Sequence, residues 1–229
     1  MHTSLAILGL GSNLENCNLE NDKLNKLDNL KYAYKLLRKH KSIDVIKASS
    51  TYYSKAQLPH NAPKSWEQDF FNIAILIQTT LSPEKLLIEI KKIEKQMGRI
   101  TSPDWSPRII DIDILLFDNI TLSTNSLIIP HKHLLTRPFA LLPAYELIPC
   151  DLQDYFFPNN INKIKNILKS WINDNNSTPF STIKINQRID TPALMQIINA
   201  TPNSFSNNTP DTIKSIDLAI NSGAHIIDI

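Results

Sequence analysis

Pro107-Arg108-Ile109-Ile110-Asp111-Ile112-Asp113-Ile114-Leu115-Leu116-Phe117-Asp118 is a β-branched, apolar run interrupted by acidic residues. Its composition predicts a strand. Side chains alternate along a strand, so Ile110, Ile112, Ile114 and Leu116 are expected on one side. Asp111 and Asp113 then share the other side, about 6–7 Å apart along the strand. Two carboxylates on one face of an oily strand repel each other and require compensating positive charge. Two oxygen ligands at this spacing suit one or two Mg²⁺ ions. A half-exposed strand with a solvated acidic face gives the same pattern, so the surrounding sequence must decide between the two.

The 229 residues allow one large domain, or one domain and a piece of another. An apolar fraction of 42% and a charged fraction of 20% predict an ordinary globular core. The formal charge of +2 gives no argument for nucleic acid or an anionic membrane as partner. The two cysteines, Cys17 and Cys150, show no pairing pattern and read as free thiols in a reducing compartment. Leu5-Ala6-Ile7-Leu8 is too short for a signal core, and no apolar run has the length of a membrane span. A soluble, cytoplasmic protein is expected.

Upstream of the acidic strand, Leu5 to Leu10 reads as a buried strand ending at Gly11-Ser12-Asn13. Gly9 and Gly11 are two of only four glycines in the chain, which marks a turn or a close approach of backbone. The Asn-rich stretch from Glu15 to Lys26 reads as a loop. From Leu27 the spacing Leu27, Leu30, Ala33, Tyr34, Leu37 is helical. Ile43 to Tyr53 reads as a second strand, Ser54 to Gln68 as a long Pro-containing loop of the kind that forms lids, and Phe70 to Thr79 as a third strand. Asn72 is the polar member of that strand. Ser82-Pro83 opens a helix with the stripe Leu86, Leu87, Ile90, Ile93 and a stop at Gly98. Thr101 to Arg108 is a second loop, carrying Trp105.

Downstream, Leu127 to Ile129 is a short strand before Pro130-His131, and Arg137-Pro138-Phe139 opens a short helix to Leu147. Three segments are expected: a domain over 1–150, a connector over 151–190 with one helix (Ile164, Ile167, Leu168, Trp171), and 191–229. The last reads as strand, helix, strand, the incomplete βαβ start of a larger fold whose remainder the chain lacks. Up to residue 147 the order predicts an α+β domain, a mostly antiparallel, ferredoxin-like sheet with helices packed on it.

Six segments, in order, resemble 6-hydroxymethyl-7,8-dihydropterin pyrophosphokinase, a folate-pathway enzyme. They are Leu10-Gly11-Ser12-Asn13-Leu14, Phe71-Asn72, Ile93-Glu94 with Gly98-Arg99, Pro107 to Ile114, Ile129-Pro130-His131 and Arg137-Pro138-Phe139. Residues 194–229 resemble the start of dihydropteroate synthase through Ile198 to Ser206 and Gly223 to Ile229. The first resemblance implies transfer of diphosphate from ATP to the pterin hydroxymethyl oxygen, with AMP leaving. It implies two Mg²⁺ ions between Asp111, Asp113 and the phosphates, with Arg99 and Arg108 also catalytic. ATP would be held by Glu94, Arg99, Arg108, Ile114, His131 and Arg137. The pterin would be held by Gly11, Phe70, Asn72, Trp105, Asp111 and Phe139. The loops Ser54–Gln68 and Thr101–Ser106 would close over both substrates. The missing remainder of the synthase is the implied macromolecular partner.

The chain departs from the family where Thr101 replaces a second Arg and where Ser54-Lys55-Ala56-Gln57 replaces a Thr-Pro lid. In the synthase-like part, Asn203 stands for Asp and Asn207-Asn208 for Asp-Gly. A pterin-binding or scaffolding domain with a weakened ATP clamp is the alternative reading. An RNA-binding module of the same sheet type fits poorly, because the charge is near neutral and no strand carries an aromatic pair suited to bases. The synthase-like piece by itself is expected to be inactive, since barrel sites are assembled from many loops.

Overall fold

Strand β1 (Ser4–Ser12) is the axis of the sheet, pairing antiparallel with β6 (Phe70–Thr79) on one side and β7 (Asp111–Phe117) on the other. The computed structural model describes residues 3–19, 22–100, 102–158, 160–173, 179–190, 195–197 and 226–228. The chain divides into two compact units, 1–185 and 186–229.

In the first unit β1 is followed by a hairpin of β2 (Asn16–Leu19) and β3 (Asp22–Leu24), then α1 (Lys26–Arg38), β4 (Ile43–Ala48), β5 (Ser50–Ser54) and β6. Helix α2 (Pro83–Gln96) leads to β7. β4 pairs with the C-terminal half of β6 and β5 with its N-terminal end, both antiparallel. Each of α1 and α2 therefore crosses over one intervening strand, the expected ferredoxin-like βαββαβ order in a fully antiparallel core. The predicted second strand is two, broken at Ser49, whose hydroxyl accepts from Ala74 N at 2.9 Å and whose own N–H donates to the Ala74 carbonyl at 2.9 Å.

The helices begin where side chains satisfy the first free N–H groups. Asn25 caps α1 in a reciprocal box with Asp28, and Ser82 caps α2 ahead of Pro83. Their buried stripes, Leu30, Ala33, Leu37 and Leu86, Ile90, Ile93, cover one sheet face. On that face Leu8, Leu10, Ile73, Ile75, Ile77, Ile112 and Ile114 are all buried.

The opposite face is covered over one half only. After a small hairpin of β8 (Leu122–Ser123) and β9 (Ile128–Ile129), α3 (Pro138–Leu147) lies on β6, β5 and β1. Behind it come α4 (Gln153–Phe156) and α5 (Ile161–Asn173). Ile7, Leu76, Leu115, Leu116, Leu141, Leu147, Phe156, Ile164 and Leu168 form one apolar cluster there. The expected connector helix is thus built into the core of the first unit. Leu116 faces this cluster and not Ile112 and Ile114, contrary to simple alternation. An irregularity opposite Ile7 and Leu8 inserts one extra residue into β7, so Leu115 and Leu116 both turn to the α3 side.

Two further elements depart from expectation. Within the stretch read as a loop, the β2–β3 hairpin is held by a buried polar group, Asn16, whose amide donates to the Met97 carbonyl at 3.0 Å. In the polar tail of the connector, β10 (Ile183–Arg188) begins in the first unit and joins the sheet edge at β5. In the second unit β11 (Met195–Ile197) and β12 (Ile226–Asp228) pair in parallel. The helix predicted between them lies outside the described residues, as do Asn203 and Asn207-Asn208. No helix among the described residues is long and apolar enough to cross a membrane.

Candidate active site

The uncovered half of the α3 face is the floor of a cavity of about 400 Å³. Two cross-strand rows make that floor: Asn72, Gly11, Asp111 and, beside it, Ala74, Gly9, Asp113. A glycine stands at the centre of each row, so nothing rises between β6 and β7. A Cβ on Gly11 would lie 3.2 Å from Asn72 Oδ1, and one on Gly9 would lie 2.9 Å from the Leu115 side chain. The two glycines thus serve a shallow trough in mid-strand.

Five cationic side chains line the cavity: Lys91, Arg99, Arg108, Lys132 and Arg137. The acidic side chains on its wall are Asp104, Asp111 and Asp113. Asp111 is fully engaged. Arg99 donates to its Oδ1 at 2.7 Å and Arg108 to its Oδ2 at 2.9 Å. Burial works against its charge, but the two guanidinium groups outweigh that and hold the carboxyl below its ordinary range.

Arg99 is placed from below by Glu94. That carboxylate, 2% exposed on α2, also accepts from the N–H of Ile112 at 2.7 Å and from Lys91 Nζ at 3.0 Å. Among the described residues β7 has no strand on its outer side, so Glu94 satisfies an edge N–H that a further strand would have taken. Lys91 does the same for the Ile112 carbonyl, at 3.4 Å.

Asp113 differs from Asp111. It is desolvated, and Asp111 sits beside it with like charge, so its carboxyl is pushed up to about 7. A carboxylate kept from ionising by burial and by a like-charged neighbour fits a cation. Among the described residues no three His, Cys, Asp or Glu side chains converge as a metal cage. Two carboxylates with the remaining ligands left to phosphate and water is the donor set Mg²⁺ takes in nucleotide sites.

His131 follows Pro130, and its N–H donates to the Leu115 carbonyl at 2.9 Å. Its Nδ1 accepts from His133 N at 3.4 Å. Burial and Arg137 push the ring down to about 4, so it is neutral at pH 7. With Nδ1 accepting, the proton sits on Nε2, making the ring a neutral donor.

The far wall is aromatic. Arg137 Cζ lies 5.3 Å from the Trp105 ring centroid and 5.9 Å from that of Phe139. Its Nε donates to Gln57 Oε1 at 2.7 Å, which ties it to the first long loop. Trp105 has left-handed backbone (φ 70) on the second loop. Asn72 spends its amide N–H groups on Ser54 Oγ at 3.0 Å and the Tyr52 carbonyl at 3.4 Å, leaving its oxygen over Gly11.

Of the residues singled out from the sequence, Gly11, Phe70, Asn72, Arg99, Trp105, Arg108, Asp111, Asp113, His131, Arg137 and Phe139 line this one cavity. Glu94 does not line it; it acts beneath the floor on Arg99. Ile114 does not line it either: it is 2% exposed on the other sheet face. Thr101 lies outside the described residues. Sequence reasoning missed Lys91, Gln57, Lys132 and His133. Lys91 had a signal, one helical turn before Glu94 on the same face. Gln57 had none, since its loop has no periodicity.

The family model for 7,8-dihydro-6-hydroxymethylpterin-pyrophosphokinase matches residues 7–149, the stretch that builds every wall of this cavity. The chain belongs to that family. A 2-amino-4-hydroxy-6-hydroxymethyldihydropteridine pyrophosphokinase of Aquifex aeolicus is 36% identical over 143 residues, covering 62% of this chain and 79% of that protein. A folate synthesis bifunctional protein of Chlamydia muridarum is 41% identical over 144 residues, 62% of this chain and 30% of that protein. A folic acid synthesis protein of Pneumocystis carinii is 34% identical over 202 residues, 82% of this chain and 26% of that protein. The chain thus spans under a third of the length of these last two relatives. Among solved structures, a Plasmodium falciparum HPPK-DHPS aligns over 100% of this chain and 55% of its own, with TM-score 0.53 and 19% identity, a likeness of fold.

Proposed function

We propose that the first unit transfers diphosphate from ATP to the hydroxymethyl oxygen of 6-hydroxymethyl-7,8-dihydropterin in folate biosynthesis. The observation that carries this reading is the pairing of Asp111 and Asp113 on the floor of a cavity ringed by five cations and walled by aromatics. The pterin lies in the glycine trough, its ring edge on the Asn72 amide oxygen and its face against Phe139, with Phe70 and Trp105 beside it. The triphosphate lies toward Arg99, Arg108 and Arg137, whose planar forks suit phosphate oxygens. His131 donates Nε2–H to one of those oxygens without adding charge.

The hydroxymethyl oxygen bonds to the β-phosphorus, the bond from that phosphorus to the α–β bridging oxygen breaks, and AMP departs with that oxygen. The hydroxyl proton passes to water. Asp111 and Asp113 would hold Mg²⁺, which neutralises triphosphate charge and aligns attack and departure. The residues of the chain position both substrates, and the Gln57 and Trp105 loops limit the access of bulk water to the phosphorus under attack.

Residues 191–229 are the start of a dihydropteroate synthase-like barrel, and the parallel pairing of β11 with β12 supports this. The exposed, free Cys150 suits a reducing cytoplasm. Mixing the chain with ATP, Mg²⁺ and the pterin alcohol should release AMP, and chelating the metal should stop release. AMP release undiminished in Asp113→Ala would overturn the assignment.

A further inference from the structure

Phe139 is the aromatic wall of the cavity, and another ring lies behind it. Phe180 meets Phe139 edge to face, with centroids 5.7 Å apart and planes at 66°. The carbonyl of Phe180 also accepts from Lys55 N at 2.7 Å. Lys55 is the first residue after β5, at the root of the loop that carries Gln57. Gln57 holds Arg137, and Arg137 lies over Phe139. The contacts run in a closed circuit: Phe180, the Lys55 loop, Gln57, Arg137, Phe139 and back to Phe180.

The turn that presents Phe180 has an unusual backbone. Phe180 (φ 60) and Ser181 (φ 47) both have left-handed backbone, which L-residues adopt only when the surroundings hold them there. Thr182 is buried and donates its hydroxyl to the Pro179 carbonyl at 3.1 Å. Lys184, two residues on and in β10, pairs with Glu146 at 3.2 Å. Glu146 lies on the Phe139 helix and accepts from Ser50 N at 2.9 Å and Tyr52 OH at 2.8 Å. The segment that follows the matched family region is thereby fixed to both sides of the cavity.

We infer that Phe180, beyond the matched region 7–149, is a positioning residue for the pterin site, setting the Phe139 ring and the root of the Gln57 loop. It acts through Phe139, since it does not itself line the cavity. The inference rests on the reading of this cavity as a pterin site. An edge-to-face contact of this kind converts to a change of about 3- to 10-fold in affinity.

The test is steady-state AMP release by the full chain, varying each substrate. Phe180→Ala should raise the KM for the pterin about 3- to 10-fold, with a clearly smaller rise in the KM for ATP, reached only through Gln57 and Arg137, and kcat within about twofold. Phe180→Tyr, which keeps the ring, should restore the wild-type KM. Phe180→Leu, which keeps apolar bulk, should show a smaller rise at an unchanged melting temperature and serves where the alanine variant unfolds. Equal pterin KM in wild type, Phe180→Ala and Phe180→Leu overturns the inference. So does an equal rise in both KM values, which marks a general structural role. A wild-type chain that releases no AMP refutes the underlying reading of the site, a different result from an active wild type indifferent to Phe180.

Discussion

Asp111 and Asp113 stand two positions apart on one strand and meet opposite electrostatic conditions. Arg99 and Arg108 satisfy Asp111 within the protein, whereas Asp113 has burial and a like-charged neighbour against it. A bound cation therefore gains most from Asp113. Asp113→Asn should fold normally, with an unchanged circular dichroism spectrum, yet lose at least about 100-fold in kcat, the scale of removing one charged group from a preorganised site. Retention of full activity would show that the Asp113 carboxylate has no part in holding a cation. Glu94 is a different kind of residue. Its three partners are Arg99, Lys91 and the Ile112 N–H. Removing a buried carboxylate that pairs with cations costs about 3 kcal/mol. Glu94→Ala should thus lower stability by that amount in urea unfolding and reduce activity through the loosened Arg99. A stability change under about 0.5 kcal/mol, the range of an ordinary surface substitution, would contradict the bracing role.

At the scale of elements, the sequence shows a strand plainly when its period and its burial agree. β1, β6, α1 and α2 are readable for that reason, as is the cap at Ser82; the cap at Asn25 is not, since it lies in a stretch whose polar composition reads as a loop. The face of Leu116 is not readable either, because one extra residue opposite Ile7 and Leu8 shifts the period and leaves no mark in composition. The β2–β3 hairpin was missed because a buried Asn16 amide holds it, not an apolar stripe. Gly9 and Gly11 signal a turn or a close approach of backbone; the structure has the close approach, in mid-strand and without the turn, and keeps that part of β1 bare. Gly11→Ala should leave the fold intact, displace the Asn72 amide and weaken pterin binding about 10-fold, roughly the low end of overpacking costs. A calorimetric titration unchanged from wild type would refute the trough. Between α3 and β5, Glu146 acts as an acid-sensitive pin. Burial opposes its charge, but the Ser50 N–H, the Ser50 and Tyr52 hydroxyls and Lys184 outweigh it, so its folded carboxyl is held below the ordinary range. Such a group contributes stability above its unfolded pKa of about 4.3 and loses it as pH falls through the folded value. Glu146→Gln should therefore melt lower than wild type at pH 7, by about 1.5 kcal/mol of stability, and the gap should close toward pH 3. A gap independent of pH would contradict this.

For the whole molecule, the sequence motifs and the cavity coincide: eleven residues marked by the sequence, from Gly11 to Phe139, line one trough although they come from six stretches of chain. They were legible because each is a chemically odd residue in an otherwise apolar or irregular context. Gln57 and Phe180 were not, because a loop residue and a ring beyond the predicted domain reveal their use only through contacts across the fold. The expected division at 150 also moves once contacts are considered. Ile164 and Leu168 of α5 complete the apolar cluster under α3, and the first compact unit runs to Ile185. The phosphorus atoms report the reaction directly. Incubated with ATP, Mg²⁺ and 6-hydroxymethyl-7,8-dihydropterin, the chain should give a phosphorus NMR spectrum in which AMP and a pterin carrying two linked phosphates grow together, one for one. Growth of ADP with a singly phosphorylated pterin, or an ATP spectrum that does not change, would contradict it.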